Sequence, residues 1–169
     1  VYNTGSYERV ETLKRMEGLV DIYLPDMKYV SPALAQRYSH APDYFETASL
    51  AVAEMVRQVG EPVFDGNTGL MKKGVIVRHL VLPGCTADSK KVIRYLYQTY
   101  GDRIFISIMN QYTPIGEFPE SSELNRRVSR REYDRVVDFA LELGVENGFI
   151  QEGETAEESF IPEFDGEGV

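Results

Sequence analysis

Three short apolar runs in this chain each end in a polar or basic cluster, and each is followed by a segment of helical or loop character. Val20–Leu24 leads into Pro25-Asp26-Met27-Lys28, Val75–Val77 into Arg78-His79, and Ile104–Met109 into Asn110-Gln111-Tyr112. Strand, polar tip, helix, strand is the order of a parallel α/β sheet, whose functional groups collect at the carboxyl ends of the strands. Connections of this length imply parallel strands joined by right-handed crossovers. Three strands are well marked and two more are partial, so a closed barrel of eight does not fit in 169 residues. The expected fold is α/β: a partial (half) TIM-like barrel with parallel strands and outer helices, truncated at the N-terminus.

The remaining elements follow from periodicity and punctuation. Val1-Tyr2-Asn3 reads as the end of a strand. Ser6 to Glu17 reads as a short helix capped by Ser6, with Val10, Leu13 and Met16 inward and Gly18 as its stop. Ser31-Pro32 is a helix start, a capping hydroxyl followed by Pro at the first helical position. Pro42-Asp43 opens a longer helix to Val59, where Tyr44, Ala48, Ala51, Val52, Met55 and Val59 recur at helical spacing before Gly60. Glu61 to Gly74 is rich in turn residues and reads as a loop or small hairpin, with Lys72-Lys73 in a solvated turn. Val75 to Leu82 is the clearest strand, and Thr86 is placed as the cap of a helix through Tyr100. A loop containing Pro114, Gly116 and Pro119 leads to a helix over 129–143 that opens on Ser129-Arg130-Arg131-Glu132, the form of a capping box. Gly148-Phe149-Ile150 is a last short strand. Residues 1–151 are the folded part. Residues 152–169 are an acidic extended tail, which Phe160, Ile161, Pro162 and Phe164 could pin to the surface.

Bulk properties exclude several function classes. The length allows one domain that buries roughly 70% of its unfolded surface. The net charge of −9 argues against binding a nucleic-acid backbone, which needs a basic surface. Apolar runs fall far short of the ~20 residues of a membrane span, and no signal peptide is visible. A single cysteine excludes an internal disulfide and fits a reducing, cytoplasmic setting. The chain opens at Val1 with no Met, so a processed or engineered start is expected.

Asp26 and Lys28 form the first candidate site. Residues two apart on an extended chain point the same way, so both side chains can face one pocket. A carboxylate beside an ammonium holds a zwitterionic or hydroxyl-rich ligand, each keeping the other charged. The plainer reading is an ion pair at a strand end. Arg78 lies inside an apolar strand and must either emerge at the strand mouth or be paired. Its planar fork suits carboxylate or phosphate. His79 belongs on the opposite face, hydrogen-bonded among helices. His40 sits in a loop with no partner pattern.

Four strings in order, Tyr2-Asn3-Thr4-Gly5, Val20 to Tyr29, Val77 to Gly84 and Ile108 to Pro114, resemble the third to sixth strand ends of radical S-adenosylmethionine enzymes. The nearest resemblance is to proteins related to pyruvate formate-lyase-activating enzymes, over residues 1 to about 151. The resemblance implies that Asp26 and Lys28, as a D-x-K pattern, face S-adenosylmethionine, and that Arg78 is a cofactor-side residue. It puts Asn3 and Gly5 in an N-x-G-like element, with Asn-Thr-Gly where those enzymes show Thr-Asn-Gly. Gln111 and Tyr112 stand where they often carry a His near the cofactor.

The cluster-binding C-x-x-x-C-x-x-C loop and the Gly-Gly-Glu segment of that superfamily are absent. Cys85 alone cannot ligate a 4Fe-4S cluster, and no catalytic residue or metal ligand is assigned in this chain. The implied activity therefore belongs to a longer protein. That protein would generate a 5′-deoxyadenosyl radical for hydrogen abstraction, with S-adenosyl-L-methionine and a 4Fe-4S cluster as cofactors and a protein as substrate. This chain alone is expected to be inactive. Two rivals are a small-molecule or phosphate-binding α/β domain without radical chemistry, and a non-catalytic assembly module. The glycine-containing stretch 65–74 matches neither phosphate-loop pattern. An open sheet edge is a template for a homodimer.

Overall fold

The structure, a computed structural model, describes residues 1–114, 119 and 122–150. Gly116 and the acidic stretch 152–169, with Phe160, Ile161, Pro162 and Phe164, lie outside the described residues. The chain runs β1 (Tyr2–Thr4), α1 (Val10–Lys14), β2 (Ile22–Pro25), α2 (Pro32–Ser39), α3 (Tyr44–Val59), β3 (Val63–Phe64) and β4 (Met71–Leu80). It continues through α4 (Thr86–Tyr100), β5 (Phe105–Met109), α5 (Arg130–Leu143) and β6 (Gly148–Ile150). This is an α/β fold with a mostly parallel sheet of order β1-β2-β4-β5-β6, to which β3 adds an antiparallel hairpin partner on β4.

Neighbouring parallel strands are successive in the chain apart from that hairpin. Each crossover therefore steps one strand along in the same direction, and right-handed connections lay the helices on one face. Burial follows this division. Tyr23, Val75, Val77, His79, Ile106 and Ile108 point to the helical face and are buried. Leu24, Ile76, Arg78, Leu80, Ser107 and Met109 alternate with them and remain only half-buried on the second face.

The helices form where their sequences direct. In α3, Ala48, Ala51, Val52, Met55 and Val59 are buried on one stripe, and Gly60 ends the helix at φ 70°. Ser31 caps α2 by accepting the Leu34 N–H, with Pro32 at the first helical position. Ser129 and Glu132 form the expected capping box of α5. Among the described residues no helix is long and apolar enough to cross a membrane.

Several expectations need correction. Ser6 does not cap α1, which begins at Val10 after an Arg9 cap with no side-chain bond. Ser6 instead turns the chain at φ 65°, its N–H bound to Thr4 Oγ1 at 3.1 Å. Thr86 is the first residue of α4, and the cap position falls to Cys85, with no side-chain bond. Pro25 closes β2 from within, since Asp26 N–H rather than the missing proline donor reaches Thr4 O at 2.9 Å. Lys72 and Lys73 lie in β4, which starts at Met71 because the turn at Asp65 folds β3 back on it.

Candidate functional site at the carboxyl rim of the sheet

The strand ends of β1, β2 and β4 meet at one rim. Asn3 pairs in register with Leu24, and Asp26 bridges in parallel to Arg78, so Asn3, Asp26 and Arg78 project from the same, half-buried face. Arg78 Nε and Nη2 donate to Asp26 Oδ1 at 3.0 and 2.6 Å, and Nη2 also donates to Asn3 Oδ1 at 2.6 Å. The pair is neither solvated nor sealed, with side chains 26% and 23% exposed. Of the two options for a cation in an apolar strand, Arg78 adopts pairing and spans from β4 to β1 across β2.

Lys28 shares the alternation of Asp26 and is exposed at the same rim. Its Nζ forms no ion pair among the described residues, and an ideal Cβ placed on Gly5 would lie 3.8 Å from it. Asp26 Oδ2 and Asn3 Nδ2 likewise enter no hydrogen bond among the described residues. The rim thus offers a carboxylate oxygen, an ammonium and an amide NH2 that make no hydrogen bond or ion pair among the described residues.

Gln111 and Tyr112 follow β5, but no hydrogen bond joins either to the Asp26–Arg78 row. Tyr112 is committed elsewhere, its hydroxyl donating to Leu124 O at 2.9 Å. There it faces a strap over residues 122–125, held to α2 by the bidentate Arg37–Glu123 pair at 3.0 and 3.1 Å and by the Tyr38 hydroxyl on Glu123. Cys85 is buried, and burial pushes its thiol pKa up, which keeps it protonated and unreactive. Among the described residues no group of three or more His, Cys, Asp and Glu could hold a metal.

Three buried side chains, Asp88, His79 and Tyr44, hold the backbone of the rim. Asp88, in the first turn of α4, accepts the N–H groups of Val30 and Ser31, both at 3.0 Å, so both carboxylate oxygens clamp the segment after Lys28. His79 Nδ1 lies 2.8 Å from Met27 O. A carbonyl only accepts, so Nδ1 carries the proton and Nε2 is left as a buried acceptor without a partner. Burial lowers the His79 pKa, with the Met27 bond opposing. Tyr44, at the start of α3, places its hydroxyl 3.0 Å from both Gly5 O and Asp26 O and 3.1 Å from Lys28 N. One signal was available for Tyr44: a tyrosine on a stripe of small apolar residues must find a partner for its hydroxyl. Asp88 and His79 carry no comparable mark, because their partners are backbone groups 52 to 58 residues away.

The stretch weighed as a phosphate loop is otherwise occupied. Asp65 Oδ1 accepts the Asn67 and Thr68 N–H groups at 3.0 and 2.9 Å, so a carboxylate already fills the place an anion would take. Lys72 and those amides hold the Asp65 carboxyl down at about 2, with the Lys72 bond the largest contribution.

No family model matches the chain. It is similar to an uncharacterized protein of Methanocaldococcus jannaschii, 28% identical over 145 residues that cover 83% of this chain and 37% of that protein. The chain therefore spans little more than a third of the length of the curated relative it matches.

Proposed function

We propose that this chain is the C-terminal part of a radical S-adenosylmethionine iron–sulfur protein related to pyruvate formate-lyase-activating enzymes. In this reading the sheet is a partial barrel, and its half-buried face forms one wall of the S-adenosylmethionine site. One observation carries the proposal. Asn3, Asp26 and Arg78, matched to three different strand ends by their sequence patterns, meet in one hydrogen-bonded row, and Lys28 shares their rim with its ammonium over Gly5.

The free groups of the row suit that ligand. Asp26 Oδ2 can accept from a ribose hydroxyl, while Lys28 Nζ and Asn3 Nδ2 can donate to an amino-acid carboxylate. Arg78 then has a positioning part: its fork fixes Asp26 and Asn3 relative to each other. The 4Fe-4S cluster does not fit this chain, whose one cysteine is buried and, among the described residues, belongs to no group of three or more ligating side chains. Cluster ligation belongs to other residues of a longer protein, and the part played here is to bind and orient the cofactor. The length of the archaeal relative is compatible with such a protein.

The test is anaerobic reconstitution of the complete gene product with iron and sulfide. The expected result is an iron–sulfur absorption band, reductive cleavage of S-adenosylmethionine, and weaker S-adenosylmethionine binding in Lys28→Ala and Arg78→Ala. No cluster, or binding left unchanged by both substitutions, would overturn the proposal.

A further inference from the structure

We infer that Tyr44 is a positioning residue of the rim site, its buried hydroxyl setting the spacing between the β1 tip and the Asp26–Lys28 tip of β2. Three groups from two strand ends lie around a single oxygen: Gly5 O and Asp26 O at 3.0 Å, and Lys28 N at 3.1 Å. A phenol has one proton and can accept through its oxygen, so it donates toward the two carbonyls and receives the Lys28 N–H. Burial raises the Tyr44 pKa, so the proton stays in place as a donor. No other described side chain is hydrogen-bonded to Gly5, Asp26 and Lys28 together.

The β1 tip needs such a restraint. Ser6, directly after Gly5, is fully buried in the left-handed region at φ 65°, and its Oγ has no hydrogen-bond partner. A non-glycine residue holds that conformation only when its surroundings impose it. Two bonds do so here: Thr4 Oγ1 takes the Ser6 N–H at 3.1 Å, and Tyr44 takes the Gly5 carbonyl. On the other side, Met27 N–H is bound to Arg78 O at 2.9 Å, leaving Lys28 as the first residue of this tip beyond the sheet. Its backbone direction, and hence the reach of its ammonium over Gly5, is fixed by the bond to Tyr44. The ring itself is held independently, edge-on to Tyr29 at 5.6 Å and stacked on Tyr7 at 6.2 Å. Tyr44→Phe therefore removes the hydroxyl and keeps the packing.

The inference rests on the S-adenosylmethionine reading for its ligand. The experiment is a double-mutant cycle on this chain, with S-adenosylmethionine affinity read from a ¹⁵N-resolved titration. The variants are Lys28→Ala, Tyr44→Phe and their combination, with Val52→Ala as a core variant of the same helix that is buried away from the rim. Tyr44→Phe is expected to weaken binding about tenfold, and the combination to be no weaker than Lys28→Ala alone. Val52→Ala is expected to lower the melting temperature and leave the affinity unchanged. If Lys28→Ala weakens binding while Tyr44→Phe does not, or if the two effects simply add, Tyr44 has no positioning role. If Lys28→Ala itself has no effect, there is no Lys28 contact for Tyr44 to position and the role falls, whereas the ligand reading falls only if Arg78→Ala has no effect either.

Discussion

Replacing Asp88 by Ala isolates the clamp that holds the Lys28 segment. The carboxylate is 6% exposed and accepts two backbone N–H groups, from Val30 and Ser31, each at 3.0 Å. Hydrogen bonds to a charged acceptor contribute about 1.5–3 kcal/mol each. Its place in the first turn of α4 adds about 0.5 kcal/mol from the helix dipole. Against this stands the cost of keeping a carboxylate buried, which the substitution relieves. Water can also reach the half-buried Val30 and Ser31 once the side chain is gone. The net expectation is a loss of about 3 kcal/mol, equivalent to roughly 6–12 °C in Tm for a chain of this size. Asp88→Asn keeps one carbonyl acceptor and should lose about half as much. Urea denaturation gives the free energy, and amide hydrogen exchange gives the location. Val30 and Ser31 should lose protection well before the core of α4. A loss below about 0.5 kcal/mol, or unchanged exchange at those two amides, would refute the clamp.

Three further predictions concern single groups. The His79 pKa is lowered below its ordinary 6.5 by burial, so the unfolded chain takes up a proton that the folded one refuses. Stability should therefore be unaffected above that value and fall as pH drops through the window beneath it, by up to about 1.4 kcal/mol per pH unit. His79→Gln should flatten this limb in denaturation curves taken across pH, and an identical limb would contradict the assignment. The Glu132 carboxyl is held well below the usual range, first by Arg126 and then by the Ser129 and Gly84 N–H groups. Its contribution is complete above the unfolded value of 4.5 and is lost as pH falls through the folded one, so Glu132→Gln should cost stability near neutrality and little in acid. Gly84 has φ 76°, and a Cβ there would meet Glu123 Cβ at 3.2 Å. Gly84→Ala should therefore cost about 1–2 kcal/mol by chemical denaturation, and a neutral effect would show that the strap at Glu123 gives way freely.

The strands and most helices were legible because their signals are local. The apolar run Val75–Leu82, the Ala/Val/Met stripe of α3 and the Ser129–Glu132 box each lie within a few residues of sequence. Neither Ser6 nor Thr86 caps its helix, because a hydroxyl caps only if the backbone at that position presents it. At Ser6 the β1 tip is turned by Thr4 and Tyr44, and at Cys85 the backbone carbonyl accepts the Asp88 and Ser89 N–H groups, so Thr86 falls inside the helix. The rim was legible in part. The period of two places Asp26 and Lys28 on one side, and the cost of an unpaired buried cation leaves Arg78 either paired or emerging at the strand mouth. That the partner is Asp26, with Asn3 alongside, depends on strand register, which no local pattern states. For Tyr112 the signal is equally non-local, since its hydroxyl donates to the carbonyl of Leu124, 12 residues downstream.

The most direct test of the rim as a ligand site is a chemical-shift map of the ¹⁵N-labelled chain titrated with S-adenosylmethionine. One wall of a pocket should bind in the millimolar range, about −4 kcal/mol. The account predicts that the amides of Asn3, Gly5, Asp26, Lys28 and Arg78 move together along one binding curve. Shifts confined to other surfaces, or none at saturating ligand, would contradict it.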